Sequence, residues 1–275
     1  MNVLKRDLDC AKTDEDAKLK YYKFRSKDPF PEISASLLNS ADIADYIAKT
    51  GMIFPFEPEK LEAATYSVPI KGKMLRWDKS GNKEVRELEK GHEFCLEKNS
   101  IAFVTLEPMF RIPEYIVLRF NLKIKHVYKG LLLGTGPIVD PGFTGKLSIP
   151  LHNLTANDYI FRVGDDLISV EFTKLSISEN WSCNQDIIYT RRGKYIPFFN
   201  NPDRDVERYV DRALPNNQKS VKSSIPESIR KAENNAKSAA ETVKILTRTI
   251  TIGGLISIVI ILCSLFSVIN SSQSL

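Results

Sequence analysis

From Thr249 to the last residue the chain carries no charged side chain, and residues 250–269 are dominated by Ile, Leu, Val and Gly. At about 1.5 Å of rise per residue, about 20 such residues make a helix about 30 Å long, the thickness of a bilayer's hydrocarbon core. The alternative for a run of this kind is a helix buried inside a soluble core. Lys244 and Arg248 precede the run and only Asn, Ser, Gln and Leu follow it. By the positive-inside rule, the expectation is a single-pass C-terminal anchor with the preceding globular domain in the cytoplasm.

Upstream of the run, Ile225, Ile229, Ala232, Ala236, Ala239, Val243, Leu246 and Ile250 recur at alternating spacings of four and three, with Pro226 in the first turn. That heptad pattern predicts a coiled-coil helix over 225–249. A single amphipathic helix lying on the membrane or on the domain fits the same residues. The phase continues through Gly253, Ser257 and Ser264, small residues that let membrane helices approach closely. One unbroken helix is therefore expected, with its packing face running from water into lipid.

The net charge of +5 is unevenly placed. Between Arg191 and Arg248 there are 13 Lys/Arg against 7 Asp/Glu, a net of +6, which leaves the remainder of the chain at about −1. A basic tail beside an apolar run favours attraction to anionic lipid, and a near-neutral body argues against a nucleic-acid-binding face. Cys10, Cys95, Cys183 and Cys263 form no C-x-x-C pair, and His92, His126 and His152 complete no zinc ligand spacing. The H-x-E and P-C-x-x-C signatures of zinc nucleobase deaminases are both missing, which excludes that class. No metal site is expected from protein ligands.

Residues 1–36 form a charged N-terminal arm without an apolar core, helical in part or mobile. Ser40 as a capping residue, with Ile43, Tyr46 and Ile47 at helical spacing, predicts a short amphipathic helix closed near Gly51. Strand-like pieces then recur at 65–70, 74–77, 85–88, 94–96, 101–106, 115–122, 131–133, 146–151, 159–163 and 167–175, with Asp78 to Asn82 as a hairpin loop. Many short strands with one helix predict a mainly β domain over 37–195, a β-barrel or jelly-roll-like sandwich. A polar linker over 196–224 separates it from the tail.

The centre of the β region is Ile138-Val139-Asp140-Pro141-Gly142-Phe143-Thr144-Gly145, followed by an alternating strand that ends at Asn153. Asp-Pro-Gly is a turn signature, Pro fixing φ at the first corner and Gly accepting the positive φ after it. Asp140 serves there either as a plain turn initiator or as a general base at the lip of the turn.

This segment resembles the dCTP deaminase/dUTPase family, nearer the deaminase branch, over residues 37–195. The resemblance implies a distorted β-barrel and a homotrimer with nucleotide sites at subunit contacts. It also implies a dCTP- or dUTP-like deoxynucleoside triphosphate as ligand, carrying Mg²⁺ on its phosphates. Asp140 matches the family's aspartate, the water-activating base in dUTPases and a sugar contact in deaminases. Asn153 matches the asparagine at the strand end, Gly164-Asp165-Asp166-Leu167-Ile168 the turn into the last strand, and Lys194-Tyr195 the pair that reaches the triphosphate.

Other positions depart from the family. The glutamate that shuttles protons in deaminases reads Pro150, which has no titratable group. The Arg-Ser-Ser segment aligns with Lys123-Ile124-Lys125, so the serine hydroxyl is gone, while Lys123 and Lys125 remain point charges for phosphate. The following arginine becomes Tyr128, and the acid of an Ala-Ser-x-Asp segment becomes Ser67. The glycine-rich closing arm of dUTPases is absent. Three readings stay open. The first is a catalytically degenerate, membrane-anchored protein that binds a deoxynucleotide or a partner. The second is an active deoxynucleotide-processing enzyme (dCTP deamination or dUTP-type pyrophosphohydrolysis), and the third a structural membrane-tethered trimer.

Overall fold

A computed structural model of the chain describes residues 8–78, 80–89, 91–134, 138–176, 210, 214 and 220–272. They fall into two units, Met1–Lys222 and Ser223–Leu275.

The first unit opens on α1 (Asp14–Phe24), so the N-terminal arm carries a packed helix. Thr13 caps it by accepting from the Asp16 N–H at 3.1 Å, and Asp14, Glu15 and Asp16 fill the first turn, where carboxylates favour the helix dipole. Its buried residues are Ala17 and Tyr21, and the helix packs against α2 (Ser40–Thr50). The cap of α2 is Asn39 rather than Ser40, because the amide oxygen of Asn39 accepts from both Ala41 N–H and Asp42 N–H. Gly51 ends α2 with φ +63°, and a Cβ there would stand 2.4 Å from the Ala17 carbonyl. Glycine is what allows both the left-handed turn and the close passage of α1.

Among the described residues twelve strands follow, all paired antiparallel: β1 (Ile53–Phe54), β2 (Tyr66–Pro69), β3 (Gly72–Trp77), β4 (Lys83–Leu88), β5 (Glu93–Leu96), β6 (Ser100–Arg111), β7 (Ile116–Leu122), β8 (Leu131–Leu133), β9 (Ile138–Val139), β10 (Thr144–Asn153), β11 (Tyr159–Arg162) and β12 (Asp166–Lys174). A short helix, α3 (Ile124–Val127), follows β7. The largest sheet runs β4-β3-β6-β10-β8 with β1 also on β6, the second β2-β12-β7-β9, and the third is the pair β11-β5. Among the described residues these sheets stay open, and no closed barrel ladder forms.

Strand β6 is the hub and runs well beyond the predicted 101–106. Pro108 explains both the underestimate and the geometry, since it has no N–H to give a ladder. β3 pairs with β6 up to Leu106, β1 takes over at Met109, and the β10 register shifts between Lys146 and Ser148 opposite the same place. Along β10, Leu147, Ile149 and Leu151 are buried as the alternation predicted. They pack with Val104, Leu118, Phe120 and Val170 in one continuous core.

The second unit is α4 (Ile225–Ser272), one helix of 48 residues that joins the predicted coiled-coil and apolar segments without a break. It is long and apolar enough to cross a membrane, and its large aliphatic side chains from Val243 to Leu262 are exposed. The hydroxyls of Thr249, Thr251 and Ser257 each donate to the carbonyl four residues earlier, at 2.8–3.0 Å. Polar groups folded back on their own helix cost far less in lipid than unpaired ones.

Candidate functional site

Asp140 and Lys123 lie toward opposite ends of β7. Asp140 follows β9, whose Val139 pairs with Leu118 of β7. Lys123 directly follows the last residue of β7, five positions beyond Leu118, or about 17 Å at 3.3 Å per residue. Asp140 is exposed, with its turn pinned to Ile112: Gly142 N–H donates to the Ile112 carbonyl at 2.9 Å, and Ile112 N–H donates to the Phe143 carbonyl at 2.8 Å. Gly142, at φ +81°, takes the left-handed corner. Asn153 closes β10, about 30 Å from the turn's end of that strand.

Asn153 is fully buried and fully used. Its amide nitrogen donates to the carbonyls of Leu96, Glu97 and Asn157, and its oxygen accepts from the N–H and hydroxyl of Thr155. That satisfies both hydrogens and both lone pairs. The side chain therefore pins the loop after β10 to the end of β5. Lys194 and Tyr195 lie outside the described residues.

Around Lys123 the fold gathers a polar cluster that sequence reading only partly anticipated. The Lys123 N–H is fixed to the Leu167 carbonyl at 2.9 Å, which seats the start of α3 on β12. Its side chain is 15% exposed, and its ammonium ion-pairs with the Glu62 carboxylate. Glu62 also accepts from the hydroxyls of Ser67 (2.9 Å) and Thr65 (3.1 Å). Hydrogen bonding from Lys123, then from Ser67, holds the Glu62 carboxyl below the usual carboxylate range. The carboxylate beside Ser67 therefore comes from Glu62, five residues earlier in the chain. Lys60 pairs with Asp166 at 2.8 Å beside it. Lys125 is exposed on α3.

His126, behind Lys125, is buried. Its Nε2 lies 2.8 Å from the Asp166 carbonyl, which can only accept, so Nε2 carries the hydrogen in the neutral ring. Nδ1 then accepts from the Tyr159 hydroxyl at 2.7 Å. One imidazole ties α3 to β11 and β12. Nothing in the spacing of a lone histidine announced this role.

Burial pushes the His126 pKa below its usual value, ahead of the opposing bond to Asp166. The unfolded chain therefore takes up a proton first as pH falls. Stability from this group is fully present above about 6.5 and drains away below it. Urea unfolding between pH 7.5 and 5 is expected to show this loss, with His152, also lowered by burial, adding in the same direction. His126→Gln should flatten the dependence, and an unchanged slope would remove His126 as its source.

No family model matches the chain. The dCTP deaminase of Pyrococcus abyssi is 24% identical over 135 residues, spanning 47% of this chain and 80% of that protein. The dCTP deaminase of Pyrococcus horikoshii is 23% identical over 160 residues, 54% and 95% of the two chains. Among solved structures, the 2'-deoxycytidine 5'-triphosphate deaminase of Agrobacterium tumefaciens aligns with a TM-score of 0.44 at 15% identity. That alignment covers 52% of this chain and 49% of the deaminase, so the chain spans about half its length. The EIAV dUTPase aligns at 0.30 with 12% identity over 42% of this chain and 93% of its own. A mutant dUTPase from phage phi11 of S. aureus, described with a structural Mg(II) ion, aligns at 0.33 with 15% identity over 48% and 90%. The chain is thus similar in sequence to dCTP deaminases, at 23–24% identity over about half of its length.

Proposed function

We propose that this chain is a membrane-anchored, dCTP deaminase/dUTPase-like protein that binds a deoxynucleoside triphosphate through a site no longer able to deaminate. The observation that carries the loss of chemistry is Pro150. It lies on β10 opposite Phe103, where the resemblance puts the proton-shuttling glutamate. β8 pairs only with Leu151 to Asn153, so the proline stands just before the second ladder begins. No side-chain rearrangement restores an acid at that position.

Binding is supported by the lysines at the start of α3 and by the likeness to dCTP deaminases. Asp140 and Lys123 stand at opposite ends of β7 in one chain. A site using both therefore needs a second copy, in keeping with a homotrimer. Lys125 on α3, and Lys194 and Tyr195 near the linker, complete the proposed phosphate contacts, with Asn153 supporting the wall rather than touching the ligand. Among the described residues no group of three acid, histidine or cysteine side chains is placed to hold a metal. Mg²⁺ would therefore enter on the nucleotide's phosphates, where it neutralises charge. The anchor is α4, through residues 250–269, and a cytoplasmic β domain follows from Lys244 and Arg248 on its near side.

Hydrolysis of a phosphoanhydride is the second reading. It is favoured by the exposed Asp140 carboxylate, which makes no side-chain hydrogen bond among the described residues.

The test uses the full chain in detergent, heated with each deoxynucleoside triphosphate and Mg²⁺ while deoxyuridine nucleotides, ammonia and pyrophosphate are assayed in the same tubes. At ligand about 100 times Kd, binding adds about 2.7 kcal/mol to the stability of the native state. Stabilisation by a pyrimidine nucleotide is expected, with no deoxyuridine nucleotide or ammonia formed from dCTP. Either product from dCTP would overturn the reading of Pro150. Pyrophosphate that disappears in Asp140→Asn would select the hydrolytic reading, and no stabilisation by any nucleotide would leave only a tethered platform.

A further inference from the structure

Lys123 is the best-placed cation for a phosphate, yet its ammonium is already occupied. The Glu62 carboxylate that meets it sits in a tight turn closed by the Leu61 to Tyr66 bridge and by the Glu62 N–H donating to the Thr65 carbonyl at 2.8 Å. Three donors converge on this one carboxylate: the Lys123 ammonium and the Ser67 and Thr65 hydroxyls. The two partners differ in how they are held. Lys123 is 15% exposed, with its backbone bonded to β12, whereas Glu62 is 51% exposed on a surface turn. The lysine is the fixed member and the glutamate the one that can leave.

We propose that Glu62 is a built-in occupant of the anion position at Lys123, so that a polyphosphate enters only by displacing the Glu62 carboxylate. This rests on the reading above, in which Lys123 is a phosphate contact. The bound carboxylate mimics one phosphate oxygen pair, accepting from an ammonium and from hydroxyls as a phosphate would. Displacement is a competition between two anions for one cation. It favours ligands of higher charge, triphosphate over monophosphate, and leaves the displaced carboxylate in water at the turn. The neighbouring ammonium of Lys60 is likewise neutralised, by Asp166, while Lys125 has no ion pair among the described residues. An incoming phosphate chain would meet Lys125 first and Lys123 only after Glu62 swings away.

The experiment measures inorganic tripolyphosphate binding to the full chain in detergent, by calorimetry, for the parent, Glu62→Gln, Ser67→Ala and Glu62→Gln/Lys123→Ala. Glutamine keeps the size and one of the two acceptor oxygens but removes the competing charge. Glu62→Gln is expected to bind about tenfold tighter, the scale of a removed like charge at a partly desolvated contact. Ser67→Ala, which removes one of the three donors, should give a smaller gain in the same direction. The double variant should lose the gain, which assigns it to Lys123. Thermal unfolding of each variant without ligand checks that all are folded. If the parent binds and Glu62→Gln binds equally or more weakly, Glu62 is a support for Lys123 and the inference fails alone. If neither parent nor Glu62→Gln binds tripolyphosphate, the inference fails together with the binding function on which it rests.

Discussion

Lys174→Met is expected to lower the stability of the β domain by about 3–5 kcal/mol, the cost of leaving a buried partner charge uncompensated. Lys174 ends β12, with its side chain only 5% exposed, and its ammonium lies 2.5 Å from Asp28, itself 15% exposed. The same ammonium donates to the Phe30 carbonyl at 2.8 Å. Asp28 in turn accepts from the Tyr46 hydroxyl and the Phe30 N–H, both at 2.9 Å. Burial, followed by that bond to Asp28, pushes the Tyr46 pKa far above its usual value, so the hydroxyl stays a donor at any physiological pH. Three chain segments meet at this pair: the arm, α2 and β12. Methionine keeps the apolar stem and strands the carboxylate. Urea unfolding of the full chain in detergent, followed by tryptophan fluorescence, measures the loss. Asp28→Asn placed on top of Lys174→Met should recover part of it, because the stranded charge is then gone. A loss below about 1 kcal/mol would show that water reaches the pair and screens it.

Removal of residues 249–275 is expected to move the protein almost completely from the membrane pellet to the soluble fraction. The full chain should stay in the pellet through carbonate and high-salt washes. The reason is length and chemistry together. The deleted run has no charge to neutralise, its hydroxyls at Thr249, Thr251 and Ser257 are satisfied within the helix, and its aliphatic side chains are exposed along α4. About 20 apolar residues bury enough surface in lipid to make insertion effectively irreversible. Release of the full chain by salt alone would replace the span with an electrostatic surface attachment through the basic segment. Pelleting of the truncated chain, with light scattering showing no aggregates, would locate the membrane contact in the β domain instead.

The parts legible in the sequence were those written in periodicity. The alternation of Leu147, Ile149 and Leu151 placed β10, and the spacing of Ile43, Tyr46 and Ile47 placed α2. The Asp140-Pro141-Gly142 turn was legible because proline and glycine each restrict one corner. The two-residue strands β1 and β9 were not, since two residues carry no period. The length of β6 was hidden by Pro108, which reads as a stop although the strand changes partner and continues. The arm's helix was underestimated because α1 buries little more than Ala17 and Tyr21 and draws its attachment from Asp14, which pairs with the buried Arg111 at 2.7 Å.

The site divides in the same way. Sequence by itself determined the charge-free helix, the mainly β domain, the turn at Asp140 and the absence of a titratable side chain at Pro150, because each depends on local residue chemistry and spacing. Tertiary structure alone decided that Asp140 and Lys123 lie at opposite ends of β7, that Asn153 is consumed in holding loops, and that His126 joins α3 to β11 and β12. It also decided that the Glu62 carboxylate meets both Lys123 and Ser67. Those facts rest on strand register and on hydrogen bonds between residues far apart in the chain, and no local pattern encodes which distant donor will meet which acceptor.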